Sequence, residues 1–337
     1  MKTNIKKFFS EKNKSGLSSG KLVGLFITTA LVMGTMGFTS CKKKTQETTD
    51  PVVQTENEQS TATDNNLAES FVSDIENMGS QVSDNGILST FKQSGSSSVT
   101  GDEGLAVTPC ATVTTAGQVI TVNFGTSGCV GNDGHTRTGI LVYNFSASTS
   151  TNAIHYRNPG FSMTVSSQNY VVDGYTVNIV NKTVTNTTPN TISSGVNPGV
   201  NLTWSVNATI SIIKPSNAGT ISWACSRTKE LVNTSDTACY RGQNKAIVWT
   251  LARVKLNGSA TGVNAKNENY TSVASNLVRD FACTPDPLHL HRHPFVSGTI
   301  TYSPANRYPR VIDYGNGNCD LNATLTINGN TYNIILP

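Results

Sequence analysis

From Asn201 to Ile213 apolar and polar residues alternate without a break. Leu202, Trp204, Val206, Ala208, Ile210 and Ile212 fall in one phase, and Thr203, Ser205, Asn207, Thr209 and Ser211 in the other. Successive side chains of a strand point to opposite faces, so this run is a strand with one buried face and one polar face. The pattern recurs in Phe161-Met163-Val165, Tyr175-Val177-Ile179, Val296-Gly298-Ile300-Tyr302, Leu321-Ala323-Leu325-Ile327 and Tyr332-Ile334-Leu336. Asp173-Gly174, Asn257-Gly258 and Asn328-Gly329 are hairpin dipeptides, because both residue types tolerate the positive φ of a type I′ turn. Pro215 to Gly219 reads as a longer hairpin loop. Strands joined by such turns are antiparallel neighbours. On the order of a dozen strands result, and a meander of that size curls, splits into two sheets or closes. The expected fold is all-β over about residues 105–337: a large antiparallel meander, as a curved sheet, a sandwich or a partly closed barrel.

Charged residues make up only 14% of the chain. Its polar surface must therefore come from Thr, Ser, Asn and Gln, which are poor helix formers. One segment breaks the rule. Leu67, Phe71, Ile75 and Met78 lie at i, i+4, i+8 and i+11, one face of a 3.6-residue period. This predicts one short N-terminal helix over Asn66 to Met78, with Asn66 as cap, Glu69 completing a capping box and Gly79 as stop. Residues 64–104 are read as this helix followed by a Ser/Gly-rich linker, and residues 41–63 as a polar, disordered tether.

The first 40 residues read differently. Six Lys against one Glu precede an apolar run, Leu22 to Phe38, and then Thr39-Ser40-Cys41. A basic region, an apolar core and small residues before a cleavage point make a secretory signal over residues 1–40. The alternative is an uncleaved spanning helix, but a run of 17 residues with three glycines sits at the lower edge of what crosses a bilayer. The cysteine after Thr-Ser resembles the lipobox of bacterial lipoproteins. That resemblance implies that Cys41 becomes the mature N-terminus and carries acyl chains, anchoring the protein to a membrane through lipid. Lys42-Lys43-Lys44 resembles neither an acidic surface-export signal nor an inner-membrane retention Asp. The expected place is thus the outer membrane of the cell envelope, periplasm-facing rather than surface-facing. Losing the signal removes six of 25 basic and one of 21 acidic residues, leaving 19 against 20 and a net charge of −1. Nothing in that balance favours nucleic acid.

Beyond Cys41 six cysteines remain. An even set in an exported chain reads as disulfides, and six allow 15 pairings. Sequential pairing is favoured, Cys110–Cys129, Cys225–Cys239 and Cys283–Cys319, because each pair brackets one hairpin or loop. There is also an internal echo. Val122-Asn123-Phe124-Gly125-Thr126-Ser127-Gly128-Cys129 and Ile312-Asp313-Tyr314-Gly315-Asn316-Gly317-Asn318-Cys319 share the order apolar, Asx, aromatic, Gly, three small or polar residues, Cys.

The lipobox, the short helix, the segments CATVT, ITVNFGTSGC and GHTRTGILV, and the C-terminal RVIDYGNGNCDLNATLTINGNTYNI together resemble a family of uncharacterised Bacteroidota lipoproteins. The likeness covers roughly residues 65–337. It implies a fold and an anchor, and no activity. Cys225, Cys239 and the HLHRH run look like additions to the family's pattern.

Few residues suggest chemistry. His289, His291 and His293 share one face of an extended segment, so two such imidazoles could hold Zn or Cu, with Asp286 or a residue from another strand as third ligand. The bland reading is exposed loop histidines between prolines. Asp133 with Asn132, and Asp313 with Asp320 and Asn318, could offer oxygens to Ca2+, although turn-forming Asx residues explain them as well. His135 and His155 lie in loops. Asp236-Thr237-Ala238 resembles a Bacteroidota O-glycosylation acceptor, at Thr237. Trp204, Trp223 and Trp249 fit a core better than a sugar platform. No nucleotide-binding or hydrolase motif occurs. The sequence thus favours a non-enzymatic envelope lipoprotein that binds a protein, glycan or apolar ligand or has a structural role. The alternative is a metal-dependent or glycan-directed enzyme.

Overall fold

The structure is a computed structural model that describes residues 60–84, 110–131, 134–148, 155–189, 200–242, 245, 247–283 and 295–335. The signal segment, Cys41, Asn132, Asp133 and the His289–His293 run lie outside the described residues.

One helix precedes the strands, α1 (Ser60–Asp84). The first half of the sheet contains β1 (Thr112–Ala116), β2 (Val119–Asn123), β3 (Cys129–Val130), β4 (Thr136–Asn144), β5 (Ser162–Val172), β6 (Tyr175–Asn186) and β7 (Leu202–Ile213). The second half contains β8 (Thr220–Leu231), β9 (Arg253–Val263), β10 (Asn269–Asp280), β11 (Phe295–Pro304), β12 (Arg310–Asn316), β13 (Asn322–Ile327) and β14 (Asn330–Ile335). All pair antiparallel, in sequence order, in a single sheet, with only β3 off the path beside β4. Among the described residues β1 and β14 do not pair, so the sheet is open rather than closed into a barrel.

The alternation seen in the sequence sets the register. In β7 Leu202, Trp204, Val206, Ala208, Ile210 and Ile212 are all buried, and they pair with β8 from Leu202–Leu231 to Ile213–Thr220 without a shift. The opposite face of β7 carries Thr203, Ser205, Asn207, Thr209 and Ser211, with Ile213 at its end. Among the described residues no helix is long and apolar enough to cross a membrane. Asp173-Gly174 and Asn328-Gly329 make the predicted hairpins, β5–β6 and β13–β14. Asn257-Gly258 does not. It lies inside β9, where Gly258 has φ 120° and a Cβ would come within 2.3 Å of the Ser226 carbonyl oxygen. Gly is there because a neighbouring strand's backbone passes close, a bulge requirement that a dipeptide pattern cannot separate from a turn.

The helix is twice as long as its period suggested, running six residues further at each end. Asn66 is an interior residue, not a cap, and its amide oxygen accepts a hydrogen bond from the Tyr302 hydroxyl at 2.7 Å. Residues 60–63, read as tether, are the first turn, and Thr61 is buried. Gly79 is not a stop either. A Cβ there would lie 2.4 Å from Met163 Sδ and 2.8 Å from Tyr143 Cε1, so the glycine lets the helix press onto β4 and β5. Of the helix's described side chains Thr63, Asn66 and Ser70 are exposed, seven are half-buried and the others are buried. The exposed three lie on one narrow stripe, and the sheet covers the opposite side. One face of the sheet is therefore a trough, and α1 lies in it.

Candidate functional site

The trough brings together the charged residues that the strands carry in their buried phase. On β8 the inward residues are Ile221, Trp223, Cys225, Arg227, Lys229 and Leu231. On β6 Lys182 occupies an inward position and is fully buried. The helix between them contains acids and no base. Each of its carboxylates from Asp64 to Glu76 meets a cation from the sheet side. Asp64 pairs with Lys214 at 2.5 Å, Glu69 with Arg227, and Asp74 with Arg137 at 2.8 Å.

Glu76 is the centre of this set. It is 2% exposed and takes three donors. Tyr156 Oη lies 2.7 Å and Lys229 Nζ 2.9 Å from Oε1, and Lys182 Nζ lies 3.3 Å from Oε2. Burial alone would raise the Glu76 pKa, but Lys229 and Lys182 beside it, with the bonds from Lys229 and Tyr156, hold it down at about 2. Lys182 shifts the other way for its type. Its burial, helped by repulsion from Lys229, outweighs the pull of Glu76 and lowers its pKa. The two directions are compatible, because one carboxylate serves two ammonium groups and cannot compensate both.

The surrounding residues hold this cluster in place. Tyr156 stacks on Trp204 with ring centroids 4.7 Å apart, and its carbonyl accepts from Trp204 Nε1 at 2.7 Å. Its backbone N–H reaches Ser83 Oγ at 3.2 Å, while His155 Nδ1 lies 2.9 Å from the Ser83 carbonyl. The Tyr143 hydroxyl donates to the Ile75 carbonyl at 3.0 Å. At the other end Asn65 accepts from Trp223 Nε1 at 2.9 Å and Ser272 Oγ at 3.1 Å. Trp204 and Trp223 are thus core residues, 0% and 2% exposed, and Trp249 is half-buried against Tyr156 and Phe281. They form no sugar platform.

Two of the three expected disulfides are present, Cys110–Cys129 with Cα atoms 5.5 Å apart and Cys283–Cys319 at 5.4 Å. The third is not. Cys225 and Cys239 are free thiols, both buried. Cys225 sits mid-strand in the trough, and β8 carries the chain on to Leu231, roughly 20 Å away, before the loop that holds Cys239 begins. A bridge needs Cα atoms within about 7 Å. Burial, with the nearby Glu69, pushes the Cys225 thiol up to about 12, and burial beside Asp236 pushes Cys239 up to about 11. At pH 8 the full chain carrying Cys41→Ser should therefore show no fast-reacting thiol when native and two per chain when unfolded without reductant. No thiol in either state would restore the third bridge.

The remaining candidates resolve into turns. Asp313 Oδ1 accepts from Gly315 N at 2.8 Å and Asp320 Oδ1 from Asn322 N at 2.8 Å. Asn123 Oδ1 accepts from Gly125 N at 2.8 Å, so both copies of the internal echo make the same side-chain turn before a bridged cysteine. Among the described residues no group of three or more His, Cys, Asp or Glu side chains could hold a metal ion. His135 Nδ1 lies 2.6 Å from Asp173 Oδ2, and Asp173 Oδ1 accepts from Thr136 N at 2.9 Å. That pair ties the β5–β6 turn to the start of β4. Thr237 is exposed in the loop after β8, where Asp236 Oδ1 accepts from Ala238 N at 2.9 Å.

Fold and site together define a class: an open antiparallel meander whose trough is filled by the chain's own acidic helix. No family model matches the chain, and the searches of curated proteins and of solved structures return no match either.

Proposed function

We propose that this chain is a lipid-anchored envelope lipoprotein, of the Bacteroidota kind it resembles, with a non-enzymatic binding or structural role. The observation that carries the second half is the occupied trough. A concave sheet face is where a small apolar ligand or a set of catalytic groups would sit. Here α1 occupies it and its carboxylates are matched to Arg137, Lys182, Lys214, Arg227 and Lys229. What remains for recognition is the polar outer face, the loops and the sheet edges, which suits a protein or glycan partner better than an apolar ligand. The first half rests on the basic start, the apolar run and Thr39-Ser40-Cys41, with Cys41 as the lipid carrier and the outer membrane, periplasm-facing, as the location. Thr237, exposed in its loop, is the proposed glycan acceptor.

Two measurements test the two halves. Mass spectrometry of the wild-type chain extracted from membranes should show Cys41 as the N-terminal residue carrying acyl chains, and an unmodified Cys41 still preceded by residues 1–40 would overturn the anchor. Native mass spectrometry of the Cys41→Ser chain should give the bare polypeptide less four protons for two disulfides. A retained transition-metal ion, or a retained mass of several hundred daltons lost on denaturation, would overturn the non-enzymatic or the partner-binding reading.

A further inference from the structure

Among the described residues the sheet ends on β14. The pairing with β13 runs without a shift from Ile327–Asn330 to Asn322–Ile335. Among the described residues no strand pairs with the other side. Edge strands are usually blunted by a charge, a proline or a bulge. Asn330 to Ile335, NTYNII, has none of these. Its side chains are exposed apart from Ile334, with Tyr332 at 47% and Ile335 at 62%.

The register says which groups face outward. Asn328-Gly329 is a two-residue turn with both φ values positive, so the flanking Ile327–Asn330 pair exchanges hydrogen bonds and bonded pairs then alternate. Asn330, Tyr332 and Ile334 bond to β13. Thr331, Asn333 and Ile335 point their N–H and C=O groups away from it. Opposite Leu325 and Ala323, Tyr332 and Ile334 lie on the trough side, where Ile334 packs on a small core of Ile300, Tyr302, Ile312 and Ala323.

We infer that β14 is a dimerisation edge whose occupant is β14 of a second copy, antiparallel about a two-fold axis through Asn333. The strand is complementary to itself in one register. Thr331 faces Ile335 of the second copy and Asn333 faces its own equivalent, so all three outward-bonding residues meet outward-bonding residues. In the same register Tyr332 faces Ile334 of the second copy on the trough side, an aromatic–β-branched pair made twice. The segment carries no charge, so self-pairing brings no like charges together. The other edge offers less. After the Gly117-Gln118 turn the same rule leaves β1 only Val113 and Thr115 facing outward, and the Cys110–Cys129 bridge sits at its start. A β14-to-β1 contact would also be head-to-tail and build an open filament, whereas β14-to-β14 closes as a dimer.

Sedimentation equilibrium of the full chain carrying Cys41→Ser tests this. The expected result is a monomer–dimer equilibrium obeying mass action. Asn333→Lys, which sets two ammonium groups across the axis, should raise the dissociation constant at least about tenfold. Thr115→Lys on the opposite edge should leave it unchanged. Both positions are exposed, so at concentrations where every chain is monomeric neither variant should move the thermal midpoint. Asn333→Cys should form an intermolecular disulfide on mild oxidation, because a bonded antiparallel pair holds its Cα atoms about 5.5 Å apart, within reach of a bridge. Thr331→Cys should cross-link only when mixed with Ile335→Cys. A monomer at every concentration, or a dimer that Asn333→Lys leaves intact, would overturn the inference.

Discussion

Replacing Glu76 by Gln should lower the stability of the fold by about 3–5 kcal/mol, the cost of leaving a buried charge without its partner. Lys182 and Lys229 would both remain, one of them fully buried, with no carboxylate between them. The companion substitution should behave oppositely. Lys182→Met keeps the Glu76–Lys229 pair and removes the ammonium whose burial outweighs its attraction to Glu76, so it should be neutral or stabilising. Urea unfolding of the three chains at neutral pH checks both signs. Equal losses for the two variants would mean that the cluster acts as one balanced unit rather than as a pair with a surplus cation.

The same group sets an acid limit. The Glu76 carboxyl titrates at about 2 in the folded chain against 4.5 when unfolded. A depressed carboxylate pKa contributes stability that is fully present above the unfolded value and is lost as pH falls towards the folded one. The advantage of the wild-type chain over Glu76→Gln should therefore shrink between pH 4.5 and 2, by about 3 kcal/mol in all. A constant difference across that window would remove the linkage. The lowered Lys182 pKa acts at the other end: its cost is present at neutral pH and relaxes as pH rises towards the unfolded value of 10.5.

Gly139→Val should cost about 4 kcal/mol or prevent folding altogether. Gly139 sits where the β4–β5 register shifts between Thr138 and Ile140, at φ +83°. A Cβ would lie 2.1 Å from the Asn169 carbonyl oxygen and 2.5 Å from its carbon, and both belong to backbone that cannot swing aside. Gly139→Ala should be nearly as severe, because the clash belongs to the Cβ. Gly298, opposite Asn276 in the β10–β11 bulge, has the same geometry and should respond alike. Gly125 separates the two effects. It also has positive φ, but no atom lies within 4 Å of a Cβ, so Gly125→Ala should lose only about 1–2 kcal/mol. Denaturant midpoints of the three alanine variants would rank them, and a Gly125 loss equal to that of Gly139 would show that φ alone decides.

Bulges of this kind bend a sheet, and the bend is where reading the chain alone fell short. The alternation in Asn201–Ile213 and its repeats was legible because period two has one structural meaning. The antiparallel order was legible because the turns are too short for any other connection. Two cysteine pairs were legible because each brackets a neighbouring strand–turn unit. Cys225–Cys239 was not, since sequence spacing hides how far a twelve-residue strand carries its ends apart. Asn257-Gly258 and Gly79 were misread for a related reason: a glycine that answers to a neighbour from elsewhere in the chain looks the same as one that answers to a turn. The trough's charges did leave a trace. Lys182, Arg227 and Lys229 stand in the buried phase of their strands, and residues 60–84 hold acids without a single base. Local pattern therefore determined which residues face inward and how successive strands connect, because both follow from short-range geometry. Only the tertiary structure decided that the inward cations belong to the helix, since that match joins residues between 63 and 158 positions apart, as in Arg137 with Asp74 and Arg227 with Glu69.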